Sequence, residues 1–404
     1  MDRRKFLTVA GGGVGAAAML ATGGCGKKEN TIVIASSLPR TGSAKGQTDT
    51  IVNGIKLAID EYGEIAGMKL QHRDMDDATT GGMWDAGKEA DNAREAAADK
   101  NVVAFIGPYN SGAAKVSMPL LNEAGLLQVS PAATWPGLTK KVPGDEKSGE
   151  PDIYRKSGKV TFCRVCPTDF VQGPLSAVFA KDVLNAKKVY ILDDKELYGA
   201  GIAGLFEKKC KELGIEVLGH QSIDPKQPNF KTLMDQIAGL QPDLIYFGGT
   251  SQSGGPQIAI DMKGQGLKCP LMVPDGCYEE AFITGAGADV VNGRCYATIG
   301  GKDPSELTGA GAEFVKKYKD KYGTSPEAYA VYGYESAKVV LEALKKIGTK
   351  DREAIRKAVV ETKDFDKGAL GKWSFDADGD TTLKVLTISK VEAGAFKPVK
   401  SITE

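Results

Sequence analysis

Val102-Val103-Ala104-Phe105-Ile106-Gly107-Pro108-Tyr109-Asn110-Ser111-Gly112 is the stretch that decides the fold. Five consecutive apolar residues, too few for a helix, read as a buried strand. Gly107-Pro108 breaks the run, and Ser111 opens a segment of helical period. Strand, loop and helix in that order are the unit of a parallel sheet covered by helices.

The same unit recurs at a spacing of about 25 to 40 residues, as βαβ crossovers require. Upstream, Thr31 to Ala35 reads as a first strand, followed by a helix with Ile51, Ile55, Ala58, Ile59 and Tyr62 on one face. Met68 to Arg73 is a second strand, and an Ala-rich helix ends near Lys100. Downstream, Leu126 to Val129 completes the first series. The polar stretch Lys140 to Lys159, with Pro143, Gly144, Gly149, Pro151 and Gly158, reads as a surface insertion without a regular element.

A second series follows. Its strands are Val189 to Leu192, Ile215 to Leu218, Leu244 to Phe247 and Leu271 to Val273. Its helices are Val171 to Asn185, Ala200 to Leu213, Phe230 to Leu240 and Pro256 to Gly264. Two doubly wound parallel sheets are expected, consistent with 404 residues being more than one core usually holds. After Ala297 come three helices, near Leu307 to Tyr322, Ala328 to Ile347 and Arg352 to Glu361. A hairpin is expected from Leu370 to Phe375 and Leu383 to Val391 around the acidic turn Asp376 to Asp380. That turn lacks the Glu and the spacing of a calcium loop.

Lys plus Arg and Asp plus Glu are balanced at 52 each, which argues against a nucleic-acid surface. At the N-terminus, Arg3-Arg4-Lys5 precede a Gly/Ala-rich stretch ending at Gly23-Gly24-Cys25. Residues 1–24 read as an export signal, twin-arginine-like and lipoprotein-like, with Cys25 as the lipidation site and 25–30 as a tether. Thr22 departs from that pattern, where an apolar residue is usual. The other cysteines are Cys163, Cys166, Cys210, Cys269, Cys277 and Cys295, read as disulfides or buried thiols. A zinc reading of Cys163-x-x-Cys166 lacks further ligands nearby, so no metal is expected. His72 and His220, each ending a strand-like run, are expected to be solvated or structural rather than ligating or catalytic.

Ligands of open α/β sheets bind where strand-end loops lead into helix N-termini. The loop carrying Tyr109, Asn110 and Ser111 offers a hydroxyl and free amides to an anion. Ser130-Pro131-Ala132-Ala133-Thr134 adds another hydroxyl. The second series presents Asp193-Asp194-Lys195-Glu196-Leu197-Tyr198-Gly199, Gly248-Gly249-Thr250-Ser251 and Pro274-Asp275-Gly276. Donors on one lobe facing a carboxylate and an aromatic on the other suit a zwitterion.

Thr41-Gly42, these loops, Gln172-Gly173-Pro174, Asp194-Lys195 with Tyr198-Gly199, and Tyr332-Gly333-Tyr334 occur in an order and spacing that resembles the periplasmic leucine/isoleucine/valine-binding proteins. These are the type I substrate-binding subunits of branched-chain amino acid ABC transporters. The resemblance implies two lobes joined by a three-crossing hinge. The first comprises 31–164 plus 298–371, the second 165–297 plus 372–404, with crossings near Phe162 to Pro167, Cys295 to Thr298 and Leu370 to Phe375. It implies that Ser111, Ala133 and Thr134 hold the α-carboxylate and α-ammonium, while Tyr198 and Asp275 reach in from the other lobe. Gln47 and Thr250 stand where the family often places aromatics, which implies a more polar pocket. Trp135 either lines the pocket or packs beside it.

The expected function is capture of a branched-chain or similar small amino acid outside the cytoplasm and its delivery to an ABC permease, by a monomer without cofactor. The alternative is the same clamshell serving as a sensor or receptor for an amide, urea or another small polar solute. An enzyme built on Asp275 or Cys277 is not expected, because no His stands near a candidate nucleophile and no Gly-rich phosphate fingerprint follows a strand.

Overall fold

A computed structural model describes residues 30–42, 44–79 and 82–403, so the expected export signal and Cys25 lie outside the described residues. The first sheet comprises β1 (Thr31–Leu38), β2 (Glu64–Ile65), β3 (Met68–Asp76), β4 (Val102–Ile106), β5 (Leu127–Ser130) and β6 (Phe162–Arg164). Their order is β2-β3-β1-β4-β5-β6, parallel except for the β2–β3 pair. The second comprises β7 (Lys188–Asp193), β8 (Glu216–Ser222), β9 (Leu244–Gly248), β10 (Leu271–Val273), β11 (Cys295–Gly300), β12 (Val385–Glu392) and β13 (Ala395–Thr403). Their order is β13-β12-β11-β10-β9-β7-β8, with β12 and β13 antiparallel additions to a parallel core. This is the two-lobed, doubly wound α/β architecture expected from the strand spacing.

β1 is buried at all eight positions and runs past Ala35. The extension through Ser36 and Ser37 is tolerated because both hydroxyls find partners, His72 Nε2 at 2.9 Å and Glu89 Oε2 at 2.5 Å. Burial pushes His72 down to about 4, so the ring sits neutral against Ser36. The late helix Ala330–Ile347 crosses helix Lys45–Tyr62 with backbones nearly touching. A Cβ on Gly54 would lie 2.2 Å from Ala330 O, and one on Gly333 2.3 Å from Ile51 O. Glycine at both positions therefore fixes where the late helix begins, and with it Tyr329.

The end of the chain departs from the sequence reading. Leu370 to Phe375 forms no strand; isolated bridges join Phe365 to Trp373 and Phe375 to Thr381. Trp373 Nε1 donates to the buried Glu335 at 2.6 Å, which holds this segment on the late helix. The terminal hairpin is β12–β13, turned at Ala393 and Gly394, both at positive φ (52° and 75°) as a two-residue hairpin loop demands. β11 also extends beyond the boundary expected at 297/298, because it pairs with β12 as far as Gly300 and Leu386. The polar insertion contains two single 3₁₀ turns, Glu146–Ser148 and Asp152–Tyr154. The six cysteines among the described residues are free thiols.

Arg164, at the end of β6, is fully buried. Its Nε donates to Asp380 Oδ1 at 2.7 Å, Nη1 to the carbonyls of Ala133 (2.9 Å) and Trp135 (2.7 Å), and Nη2 to Thr139 Oγ1 at 2.5 Å. Burial alone would raise the Asp380 carboxyl; the adjacent guanidinium holds it below its ordinary value. One side chain thus ties the segment leaving the first sheet to the segment returning to the second and to the loop after β5. Among the described residues no helix is long and apolar enough to cross a membrane.

Removing one member of a buried ion pair leaves the other charge stranded. Arg164→Met should therefore lower unfolding free energy by about 3 to 5 kcal/mol in urea titrations; a loss below about 1 kcal/mol would show that the network is dispensable.

A second prediction concerns pH. His220 contacts Asp193 Oδ2 (3.0 Å) and Glu207 Oε2 (2.7 Å), and the bond to Asp193, reinforced by Glu207, raises its pKa despite desolvation. A raised folded-state pKa contributes stability that is complete below about 6.5 and is lost as pH rises through the raised value. The urea midpoint should fall across that window in the natural protein and much less in His220→Gln.

Candidate functional site

The cleft between the sheets is built from strand-end loops of both lobes. From the first lobe come Tyr109, Asn110 and Ser111 after β4, Ala132 after β5, and Tyr329 at the start of the late helix. From the second come Tyr198 after β7, Thr250 after β9, and Asp275 with Gly276 after β10. The loop after β4 is pressed against β1: Gly107 has φ 129°, and a Cβ there would meet Ser37 O at 2.4 Å. A second compartment shares Asn110, Ser111, Tyr198 and Thr250 and adds Met83, Trp84, Asp194 and Glu196. Each compartment has a free volume of about 10 Å³, space for a single water molecule. The lobes are closed on one another.

Asp275 is the centre of this site. It is 3% exposed and accepts three hydrogen bonds: from Tyr198 Oη and Gln172 Nε2 (2.7 Å) on Oδ1, and from Tyr329 Oη on Oδ2. Tyr198 and Gln172 belong to second-lobe helices, and Tyr329 comes across from the first lobe. Desolvation raises the Asp275 carboxyl despite these donors. A carboxylate has about four acceptor positions, so one on Oδ2 is left for a further donor. Gln172 is oriented in turn: its Oε1 accepts from Asp275 N (3.2 Å) and Thr298 Oγ1 (2.8 Å).

Opposite the carboxylate, on the first lobe, stands a helix N-terminus. Helix Ser111–Glu123 makes its first internal bond from Ala114 N to Asn110 O at 3.1 Å, which leaves the amides of Ser111, Gly112 and Ala113 without helical acceptors. Ser111 Oγ accepts from Trp135 N at 3.1 Å, so its own proton is directed elsewhere. Helix Leu197–Glu212 begins in the same way, but on the carboxylate's own lobe, where its Tyr198 donates to Asp275. Helix N-termini attract anions, and a buried carboxylate attracts cations. Asp275 on one lobe and the helix N-terminus at Ser111 on the other thus present opposite charges across the cleft, which in this closed arrangement leaves room for a single water molecule and must part to admit a larger solute.

Of the nine residues singled out in the sequence, six line this cavity: Tyr109, Asn110, Ser111, Tyr198, Thr250 and Asp275. Ala133 does not, since its N–H donates to Ser130 Oγ (2.8 Å) and its carbonyl accepts from Arg164; Ala132 takes its place on the wall. Thr134 is turned away, donating to Asp169 Oδ2 at 3.1 Å. Burial, with Asp275 nearby, pushes Asp169 up to about 8. Gln47, in the first turn of the first helix, is 1% exposed and neither atom of its amide has a partner.

Trp135 packs beside the pocket. Its ring covers Gly201 of the second lobe, where a Cβ would lie 2.3 Å away, and its Nε1 donates to Glu150 Oε2 at 2.8 Å. Glu150, from the polar insertion, also accepts from Tyr154 Oη (2.6 Å) and pairs with Lys115 (3.1 Å). The insertion thus braces the aromatic that bridges the lobes. Tyr329, Gln172 and Arg164 escaped the sequence reading. Gln172 had a signal in Gln172-Gly173-Pro174, whereas Tyr329 sits three residues before the Tyr332-Gly333-Tyr334 pattern.

Residues 31–395 match the model of a family described as periplasmic binding protein. A Leu/Ile/Val-binding protein homolog 1 from Brucella abortus is 30% identical over 386 residues, covering 95% of this chain and 96% of the relative. The structure of a leucine binding protein from Thermotoga maritima superposes with a TM-score of 0.81 at 26% identity, over 92% of this chain and 99% of that one. A branched-chain amino acid transporter substrate binding protein from Streptococcus pneumoniae, in complex with isoleucine, gives 0.79 at 26% identity over 93% and 99%. With two closed α/β lobes, a cleft of strand-end loops and a family match over nearly all its described length, this chain belongs to the periplasmic binding protein family.

Proposed function

We propose that the protein is the extracytoplasmic solute-binding subunit of an ABC importer, which captures a branched-chain or similar small amino acid between its lobes. The observation that carries this reading is Asp275, held by donors from both lobes with one acceptor position left over, opposite the amides and hydroxyl at Ser111. In this reading the α-ammonium takes the remaining position on Asp275, and the α-carboxylate takes Ser111 and the first amides of its helix. Tyr329 and Tyr198 then report ligand arrival to both lobes, because each is bonded to the group that receives the charge. Opening is a hinge motion about the three connecting segments, and the liganded closed form docks on the permease as a monomer. The Brucella, Thermotoga and Streptococcus relatives support the ligand class. Lipidation at Cys25, outside the described residues, would keep the receptor at the membrane.

A second reading, a solute with an amide or other polar end, draws on Thr250 at the cavity wall. It differs from the first only in what the far end of the ligand offers.

Calorimetry on refolded, ligand-free protein distinguishes these readings. Leucine, isoleucine and valine should bind more tightly than glutamine, acetamide or urea if the branched-chain reading holds; the reverse order favours the polar one. Asp275→Asn should weaken α-amino acid binding by about 2 to 5 kcal/mol, the usual loss when one partner of a buried charged hydrogen bond is truncated. Unchanged affinity would remove Asp275 from the role of ammonium partner.

A further inference from the structure

The second compartment of the cleft is walled on the first lobe by Met83 and Trp84, and on the second by Asp194, Glu196 and Thr250. Trp84, half-buried, is pinned by what flanks it. It bridges to Ala78, the N–H of Asp85 donates to Asp77 O at 2.8 Å, and the Asp85 carboxylate caps helix Ala86–Ala98 at Lys88 N (2.9 Å). The indole lies on Gly112, in the first turn of helix Ser111–Glu123: a Cβ on that glycine would meet Cζ2 at 2.5 Å. Glycine at 112 therefore makes room for an aromatic ring beside the amides that have no helical acceptor.

The polar groups of this compartment are largely engaged by one another. Asp194 Oδ1 accepts from Glu196 N (3.0 Å) and Oδ2 from Ser253 Oγ (2.6 Å), while Thr250 Oγ1 shares a hydrogen bond with Ser253 Oγ (3.0 Å). What is left uncommitted is the apolar surface of Met83 and Trp84, with the half-buried Glu196 as the one open carboxylate on the wall. The compartment adjoins the one that holds Asp275, and the two share Asn110, Ser111, Tyr198 and Thr250. A zwitterion with its ammonium on Asp275 and its carboxylate at Ser111 has one substituent left on the α-carbon, and tetrahedral geometry turns it away from both.

We propose that Trp84, with Met83, is the seat of the ligand's aliphatic side chain and a determinant of its size. The assignment rests on the transport-receptor reading and names where that ligand's side chain goes. Closed as it is, the compartment has space for a single water molecule, so a bound side chain holds the lobes apart by its own thickness. Each added methylene then buries more apolar area against the indole, and affinity rises with chain size.

The probes are alanine, valine, leucine, lysine and 4-methylpentanoate, which has leucine's carboxylate and branched chain but no ammonium. Each is titrated into the refolded full-length protein by calorimetry, and leucine and 4-methylpentanoate are also followed by NMR. The expected result is affinity rising from alanine to leucine, lysine weaker than leucine, and contacts from the leucine methyls to the Trp84 indole. Trp84→Ala should weaken leucine about tenfold or more and alanine less than about threefold, and Trp84→Phe should restore most of the leucine affinity. Equal losses for alanine and leucine, lysine binding more tightly than leucine, or methyl contacts to Tyr109 and Tyr329 in place of Trp84 would overturn the proposal. The NMR contacts in the natural protein decide it even if a variant misfolds. Should no amino acid bind, the transport-receptor reading falls, and 4-methylpentanoate decides this proposal by itself: its methyls on the Trp84 indole retain the seat, and their absence removes it.

Discussion

A carboxylate buried between two bodies constrains them more than an apolar contact does, because its lone pairs must be met wherever it goes. Asp275 imposes that constraint here. Tyr198 and Gln172 hold it from one lobe and Tyr329 from the other, so closure satisfies the carboxylate and opening returns it to water. Such a contact favours closure without saturating the acid. In the proposed reading a ligand ammonium would take the remaining acceptor position while its carboxylate meets the opposite lobe, and differential binding to one state is what shifts a two-state equilibrium.

The supports of this contact lie outside the cleft. Arg164 anchors the carbonyls of Ala133 and Trp135, and so fixes the loop after β5 against the segments that pass between lobes. Gly54 and Gly333 let two helices approach to backbone contact and thereby set the position of Tyr329. Glu150 reaches back from the polar insertion to orient the indole of Trp135 over Gly201. Each support is buried and polar or sterically exact, the kind of feature that specifies geometry more than it adds stability.

Much of this was legible in the sequence because the signal was local. Five apolar residues before Gly107 could only be a buried strand, and β4 falls at Val102–Ile106 as expected. Strand-end loops were identifiable as the candidate site because sheet topology favours it, and the loops after β4, β7, β9 and β10 do line one cavity. Non-local partnerships stayed hidden. Nothing near Arg164 in sequence announces Asp380, 216 residues away. Thr134 read as a ligand hydroxyl because its loop was right, but the start of helix Asp169–Asp182 claims it first. The terminal hairpin was misplaced because the acidic run Asp376 to Asp380 is a stronger turn signal than Ala393-Gly394. Its Asp376 carboxylate does cap the backbone N–H groups of Asp378 and Asp380, but the loop it forms serves the ion pair with Arg164 and joins no strands.

The most direct measurement is a crystal structure of the refolded protein with L-isoleucine, or with whichever amino acid of the calorimetric panel binds most tightly. The expected result is an α-nitrogen about 3 Å from Asp275 Oδ2, an α-carboxylate on Ser111 and its helix amides, and Tyr198 and Tyr329 still bonded to Asp275. A ligand seated elsewhere, with the Asp275 carboxylate closed off by its own three donors, would contradict it.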